Sequence, residues 1–245
     1  MVHSSSPETE QPRPSEFQRL GAELVGTYFL TFVAAGADIV DYSTGGEVGH
    51  VARYLAPGLV IAGLIWSLSA ISGAQMNPAV TFTFVLRRCF PIARACGYIA
   101  AQLFGAVAAA ATLQRFFGAA VAAGVTHPGP GIATAAALWW EAILTTLLLL
   151  VILGTAEQPA VVGKNAALAV GIVVAACGLF SSPITGASMN PARSFGPQLL
   201  SANFDGMWIY VVGSLLGGAI AAAIIQFLVG SPKYSERDAA HGKHQ

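Results

Sequence analysis

The stretch Ser72-Gly73-Ala74-Gln75-Met76-Asn77-Pro78-Ala79-Val80 returns 113 residues later as Thr185-Gly186-Ala187-Ser188-Met189-Asn190-Pro191-Ala192-Arg193, with six of nine positions identical. Each copy closes a long apolar run. A Pro-broken polar tripeptide at that point implies irregular backbone at membrane depth, which a bilayer tolerates only where it is buried in protein or lines a cavity. A matched pair of such breaks, one per repeat, is how a pore or a binding site is built inside a bilayer.

The rest of the composition agrees with a membrane. Of 245 residues, 55% are hydrophobic and only 10% are charged, against about 25% charged in soluble domains. Twelve basic residues balance twelve acidic ones, so the basic footprint of a nucleic-acid binder is missing. Cys89, Cys96 and Cys177 are spaced like neither a metal site nor a disulfide framework, and read as small packing residues. No cofactor or metal is expected. Residues 1–16 are polar and Pro-rich without the order of a cleavable signal, and read as a disordered tail. Residues 231–245 read as a second tail.

Six stretches are long enough to cross a hydrocarbon core, which takes about 20 mostly apolar residues: 17–40, 52–71, 92–119, 133–154, 165–181 and 207–229. Two further apolar segments, 77–86 and 190–200, are too short to cross, and each begins at an Asn-Pro pair. They read as half-helices with Asn at the N-cap and Pro at the first helical position. The single channel domain, 17–230, therefore divides into repeats 17–119 and 133–229, each with three spans and one half-helix. An odd number of crossings forces the second repeat into the membrane upside down. Glu23 and Glu141, lone carboxylates near the start of each repeat, fit the same duplication.

Lys and Arg set the orientation. Nine of the twelve fall on one side (Arg13, Arg19, Arg87, Arg88, Arg94, Lys164, Lys233, Arg237, Lys243), two on the other (Arg53, Arg115), and Arg193 lies in the second half-helix. Both termini are expected to be cytoplasmic, in a multi-pass protein of the plasma (inner) membrane.

Half-helices entering from opposite faces meet N-terminus to N-terminus. Each end carries roughly half a positive elementary charge and amides without internal partners. The field opposes cations and protons and costs a neutral molecule little. Asn77 and Asn190 have side-chain amides that can donate to a passing oxygen.

The contexts SGAQMNPAV and TGASMNPARSFGP, with Glu23 and Glu141, resemble the aquaporin (major intrinsic protein) family over about residues 17–230. The resemblance implies an all-α bundle of six helices and two half-helices, assembled as a homotetramer in the lipid bilayer with one pore per protomer. It implies that Asn77, Pro78, Ala79, Asn190, Pro191 and Ala192 form the paired pore motif. Glu23 and Glu141 would brace the half-helices from behind, and Arg193 would line a constriction, donating to the permeant and repelling cations. A structural ion pair is the competing reading of Arg193, since a charge in an apolar segment is costly.

At the remaining filter positions the chain departs from its relatives. Pro57 stands where the family carries an aromatic residue, Gly178 where water-selective members carry histidine, and Ala187 at the loop position. No side chain larger than proline is then expected to face Arg193. A slip of one residue would bring Cys177 or Leu179 into register instead. The set resembles wide-filter branches passing polyols, urea and undissociated metalloid acids, with the Ile184–Pro197 region closest to nodulin-26-like and archaeal-type members. Ser194 replaces the aspartate usual in glycerol facilitators.

Gly213-Ser214-Leu215-Leu216-Gly217 reads as a helix-packing face. Trp139, Trp140 and Trp208 read as interfacial anchors, and Trp66 as core or lipid-facing. All five histidines (His3, His50, His127, His241, His244) fall in expected tails or loops. The expected function is passive conduction of water and small uncharged solutes. A strict water channel is one alternative. A coupled secondary transporter is another, but it needs intramembrane ionisable groups, and none is expected beyond Glu23 and Glu141. An enzyme is not expected, because no nucleophile–base pair or metal cluster is visible.

Overall fold

A computed structural model describes residues 13–157 and 165–242. The chain begins with α1 (Glu16–Ser43), capped by Ser15, whose side chain accepts from the Gln18 amide while Gln18 reaches back to the Ser15 backbone. This reciprocal box satisfies two orphan amides of the first turn. There follow α2 (Gly49–Ser72), the half-helix α3 (Pro78–Leu86), and α4 (Ile92–Phe117), which tightens into a 3-10 turn over Gly118–Gly124. The second half repeats the order: α5 (Thr134–Glu157), α6 (Ala166–Thr185), the half-helix α7 (Pro191–Leu200) and α8 (Met207–Val229). A last short helix, α9, spans Tyr234–His241.

Six of these helices are long and apolar enough to cross a membrane. They match the six expected spans, with α1 running three residues beyond 40 and α6 four beyond 181. The extra turns are polar or Pro-containing, which a hydropathy reading discounts and a continuous hydrogen-bond ladder does not.

The duplication is visible residue by residue in the backbone. Gly73 and Gly186 end α2 and α6 in the left-handed conformation (φ 88° and 80°), and each amide bonds a serine carbonyl one turn back, at 2.9 and 2.8 Å. Beyond them Ala74 and Ala187 (φ 47° and 48°), then Met76 and Met189 (φ 49° and 53°), are also left-handed. Non-glycine residues held there cost about 1 kcal/mol or more each, so surrounding contacts must fix them. Gly58 and Gly171, 113 residues apart, mark where α2 crosses α6. A Cβ on either would stand 2.5 Å from the other's carbonyl oxygen, so only glycine permits this approach. Gly213 and Gly217 do the same between α8 and α5, where added Cβ atoms would come within 2.9 Å of Leu138 O and 2.5 Å of Ala142 O.

The C-terminal region corrects the expectation of a tail from 231. Helix α9 packs on the bundle with Glu236 and Ala240 fully buried. Arg87 grips Glu236 with both Nε (3.0 Å to Oε1) and Nη2 (2.8 Å to Oε2). Burial and the neighbouring Glu236 carboxylate push the Cys89 thiol up to about 12, so this cysteine stays a protonated packing group. Cys177 is buried too, but Cys96 is exposed on α4. Two histidines are also corrected: His50 lies in the first turn of α2 and His241 at the end of α9. His3, Lys164, Lys243, His244 and most of the expected N-terminal tail lie outside the described residues.

Candidate functional site

The two Asn-Pro-Ala boxes fold the way their first residues dictate. Asn77 takes the N-cap of α3 in extended backbone, and its Oδ1 accepts from the Ala79 amide at 2.9 Å. Asn190 caps α7 likewise, its Oδ1 accepting from Ala192 (3.0 Å) and Arg193 (3.3 Å). Pro78 and Pro191 follow at the first helical position, where a missing N–H is no loss.

Each cap then reaches across the repeat boundary. Asn77 Nδ2 donates to Met189 O at 2.8 Å, and Asn190 Nδ2 donates to Met76 O at 2.9 Å. The half-helices therefore meet at their N-termini, tied by a reciprocal pair of hydrogen bonds. Each primary amide carries two N–H groups, so one on each asparagine remains for another acceptor. Both asparagines line the same cavity.

The left-handed loops behind the boxes are held by the two carboxylates. Glu23 on α1 is fully buried and accepts four hydrogen bonds: Ser72 Oγ (2.7 Å), Gln75 N (2.9 Å), Met76 N (2.6 Å) and Gln102 Nε2 (2.8 Å). Glu141 on α5 accepts three, from Thr185 Oγ1 (2.6 Å), Ser188 N (3.1 Å) and Met189 N (2.8 Å). Tyr98 and Tyr210 complete the pattern, donating to Ser72 O at 2.9 Å and Thr185 O at 2.8 Å. The turn amides of Gln75, Met76, Ser188 and Met189 thus find carboxylate acceptors, as buried amides require.

Pro57, Gly178, Ala187 and Arg193 line one cavity of about 50 Å³ with the two asparagines, room for a few water molecules. Tyr54 lines it as well, with Leu30, Ile61, Leu148, Val174 and Met189, so side chains larger than proline border the cavity that Arg193 lines, contrary to the expectation drawn from the filter positions alone. Tyr54 occupies the space beside Gly178: a Cβ at 178 would stand 2.9 Å from Tyr54 Cβ. An aromatic ring one turn from Pro57 thus fills part of the volume that a side chain at 178 would otherwise take.

Arg193 is tied to the wall. Nη1 donates to Gly124 O (2.8 Å), and Nη2 to Ala34 O (3.2 Å) and to the Asp38 carboxylate (3.2 Å). Of its five N–H donors, Nε–H and one on Nη1 stay uncommitted by these contacts. Asp38 also pairs with Arg53 at 2.9 Å. This corrects the count of intramembrane ionisable groups, because Asp38 and Arg53, like Arg19, Arg94 and Arg115, fall inside the expected spans 17–40, 52–71 and 92–119. The rule that singled out Arg193, a charge in an apolar segment, applied to Asp38 equally. Gln102, the fourth donor to Glu23, left no signal beyond being a polar residue in a span.

The major intrinsic protein family model matches residues 10–225. The chain is 37% identical over 223 residues to Aquaporin NIP3-1 of Oryza sativa subsp. japonica, covering 91% of this chain and 72% of that protein. It is 40% identical over 216 residues to Aquaporin NIP1-2 of the same plant, covering 84% and 71%. Among solved structures it resembles the aquaglyceroporin from Plasmodium falciparum, with a TM-score of 0.80 and 25% identity over 88% of this chain and 97% of that one. With the paired boxes, their crossed asparagines and the carboxylates behind them, these matches establish that the chain belongs to the major intrinsic protein, or aquaporin, family.

Proposed function

We propose that this aquaporin is a passive channel for water and small uncharged solutes such as polyols, urea and undissociated metalloid acids. The observation that carries the reading is the meeting of two capped helix N-termini, joined by the crossed Asn77 and Asn190 bonds of 2.8 and 2.9 Å. Aligned amide dipoles leave positive potential at both ends, so cations and protons are opposed where a neutral molecule needs only hydrogen-bond partners. The free N–H of each asparagine and the uncommitted N–H groups of Arg193 are suited to supply them. In this reading Pro57, Gly178, Ala187 and Arg193 form the selectivity filter with Tyr54, and Glu23 and Glu141 are structural supports. The relatives named for the NIP branch and the aquaglyceroporin neighbour favour a filter that admits more than water.

The Lys and Arg asymmetry supports cytoplasmic termini in a plasma (inner) membrane. The exposed apolar surfaces of α2 and α5, including Trp66 and Ile143, are compatible with a homotetramer, one pore per protomer. A stopped-flow panel on reconstituted protein tests the solute range: water, glycerol, urea and boric acid. Water together with at least one larger neutral solute should exceed the flux of empty vesicles. Water alone would return the strict water channel and would point to Tyr54 as the side chain that closes the filter.

A further inference from the structure

At the mouth remote from the chain termini, four ionised side chains form one continuous line of contacts. Asp41 Oδ1 accepts from the Gly49 amide at the start of α2 (2.8 Å), and its Oδ2 from Arg53 Nη1 (2.8 Å). Arg53 Nε donates to Asp38 Oδ1 (2.9 Å), and Asp38 Oδ2 accepts from Arg193 Nη2 (3.2 Å). The line joins α1, α2 and α7 and contains two positive and two negative charges, so it is neutral as a set. The Arg193 and Asp38 side chains are only 7% and 14% exposed, so water and salt screen their pairing weakly.

We infer that Asp38 is a specificity-determining residue of this channel. It is the counter-charge of Arg193, and with Arg53 and Asp41 it keeps this line of contacts electrically neutral. Ion exclusion at this level then belongs to the balanced set and not to a lone arginine. The inference rests on the channel reading above. Its consequence is specific. Without the Arg193 charge, Asp38 and Asp41 face Arg53 alone, and a contact line left with net charge −1 at a narrow mouth concentrates cations. Neutralising Asp38 as well restores the balance. If Arg193 acted only by occupying space, Asp38 would have no influence on the leak.

The test compares wild type, Arg193→Gln, Arg193→Gln/Asp38→Asn and Asp38→Asn in planar bilayers under a KCl gradient, with water flux of the wild type measured in parallel. Helicity and size-exclusion profile confirm that each variant is folded. Arg193→Gln should conduct K⁺, and adding Asp38→Asn should lower that conductance at least about tenfold, the lower end of the local counter-ion enrichment a single-sign cleft produces. Equal leaks in the single and double variants, or no leak in Arg193→Gln, would overturn the inference. Should the Arg193 variants not fold, Asp38→Asn alone decides it. With net charge +1 along the line it should pass Cl⁻ above the wild-type level, and a Cl⁻ conductance equal to wild type would overturn it. A wild type without water flux would instead overturn the channel reading itself.

Discussion

The two repeats brace the same turn with different strength. Behind the first box Glu23 collects four donors, the fourth being Gln102, which also reaches Thr81 Oγ1 at 3.1 Å. Behind the second, Ser214 holds the place of Gln102 on α8, one turn beyond the corresponding tyrosine, and its hydroxyl has no partner among the described residues. Glu141 is left with three. The loops differ on their outer sides too. Gln75 is clamped from outside by Ala240 of α9 (2.9 Å), whereas its counterpart Ser188 bonds Ser194 (2.6 Å), itself paired with Thr126 (2.7 Å). One repeat therefore anchors its half-helix to the C-terminal helix, and the other to the linker between repeats. Only the second places a charge, Arg193, where the first has Val80. The half that carries the charged filter is the half with the sparser brace.

Removing the carboxylates should have the largest effect. Glu23→Ala removes the acceptor of four buried donor hydrogens, at about 1–3 kcal/mol for each one orphaned, and should cost about 4 kcal/mol or more. Glu141→Ala, with three, should cost less. Thermal unfolding in detergent checks both, and equal shifts would mean the donor count does not set the brace.

Severing the clamp on the first loop comes next. Glu236→Ala leaves the buried Arg87 with Gln226, Gly230 O and, at 3.8 Å, Glu157 as its one remaining carboxylate among the described residues, and breaking a buried pair in this way costs about 3–5 kcal/mol. Part of that loss is local to α9, so limited proteolysis should cut the chain near residue 233 before the bundle unfolds. An intact C-terminus in the variant would show that α9 is held by its other contacts.

The smallest effect is expected at Gln102. Gln102→Leu removes the extra donor and gives Glu23 the three-donor state of Glu141. It should cost about 1.5–3 kcal/mol, the scale of one hydrogen bond to a charged group. In that background the gap between Glu23→Ala and Glu141→Ala should close, and a gap that persists would assign it to something other than Gln102.

What the sequence revealed was whatever the duplication wrote twice. Asn-Pro at the head of a short apolar run specifies its own cap and first turn, so both half-helices were legible from local residues alone. Glu23 and Glu141 were legible because each recurs near the start of its repeat. The rest depended on contacts between distant segments. Asp38 and Arg193 are 155 positions apart, and nothing local says that the end of α1 faces α7. Tyr54 is one turn away from the filter position aligned at Pro57, and only the helix crossing at Gly58 and Gly171 brings its ring beside Gly178. Helix α9 is a short polar segment, and isolated helices of that length are marginal in water. Its formation here rests on the Arg87–Glu236 pair and on backbone contacts to Gln75.

Two capped half-helices, locked by crossed asparagines, open a passive pathway through the bilayer. It is tested most directly by the temperature dependence of osmotic water flux in vesicles containing the reconstituted protein. Flux well above that of empty vesicles, with an activation energy close to that of water moving in bulk and no dependence on proton or sodium gradients, is the predicted result. Flux indistinguishable from empty vesicles, or flux with the steep temperature dependence of bare lipid, would contradict the account.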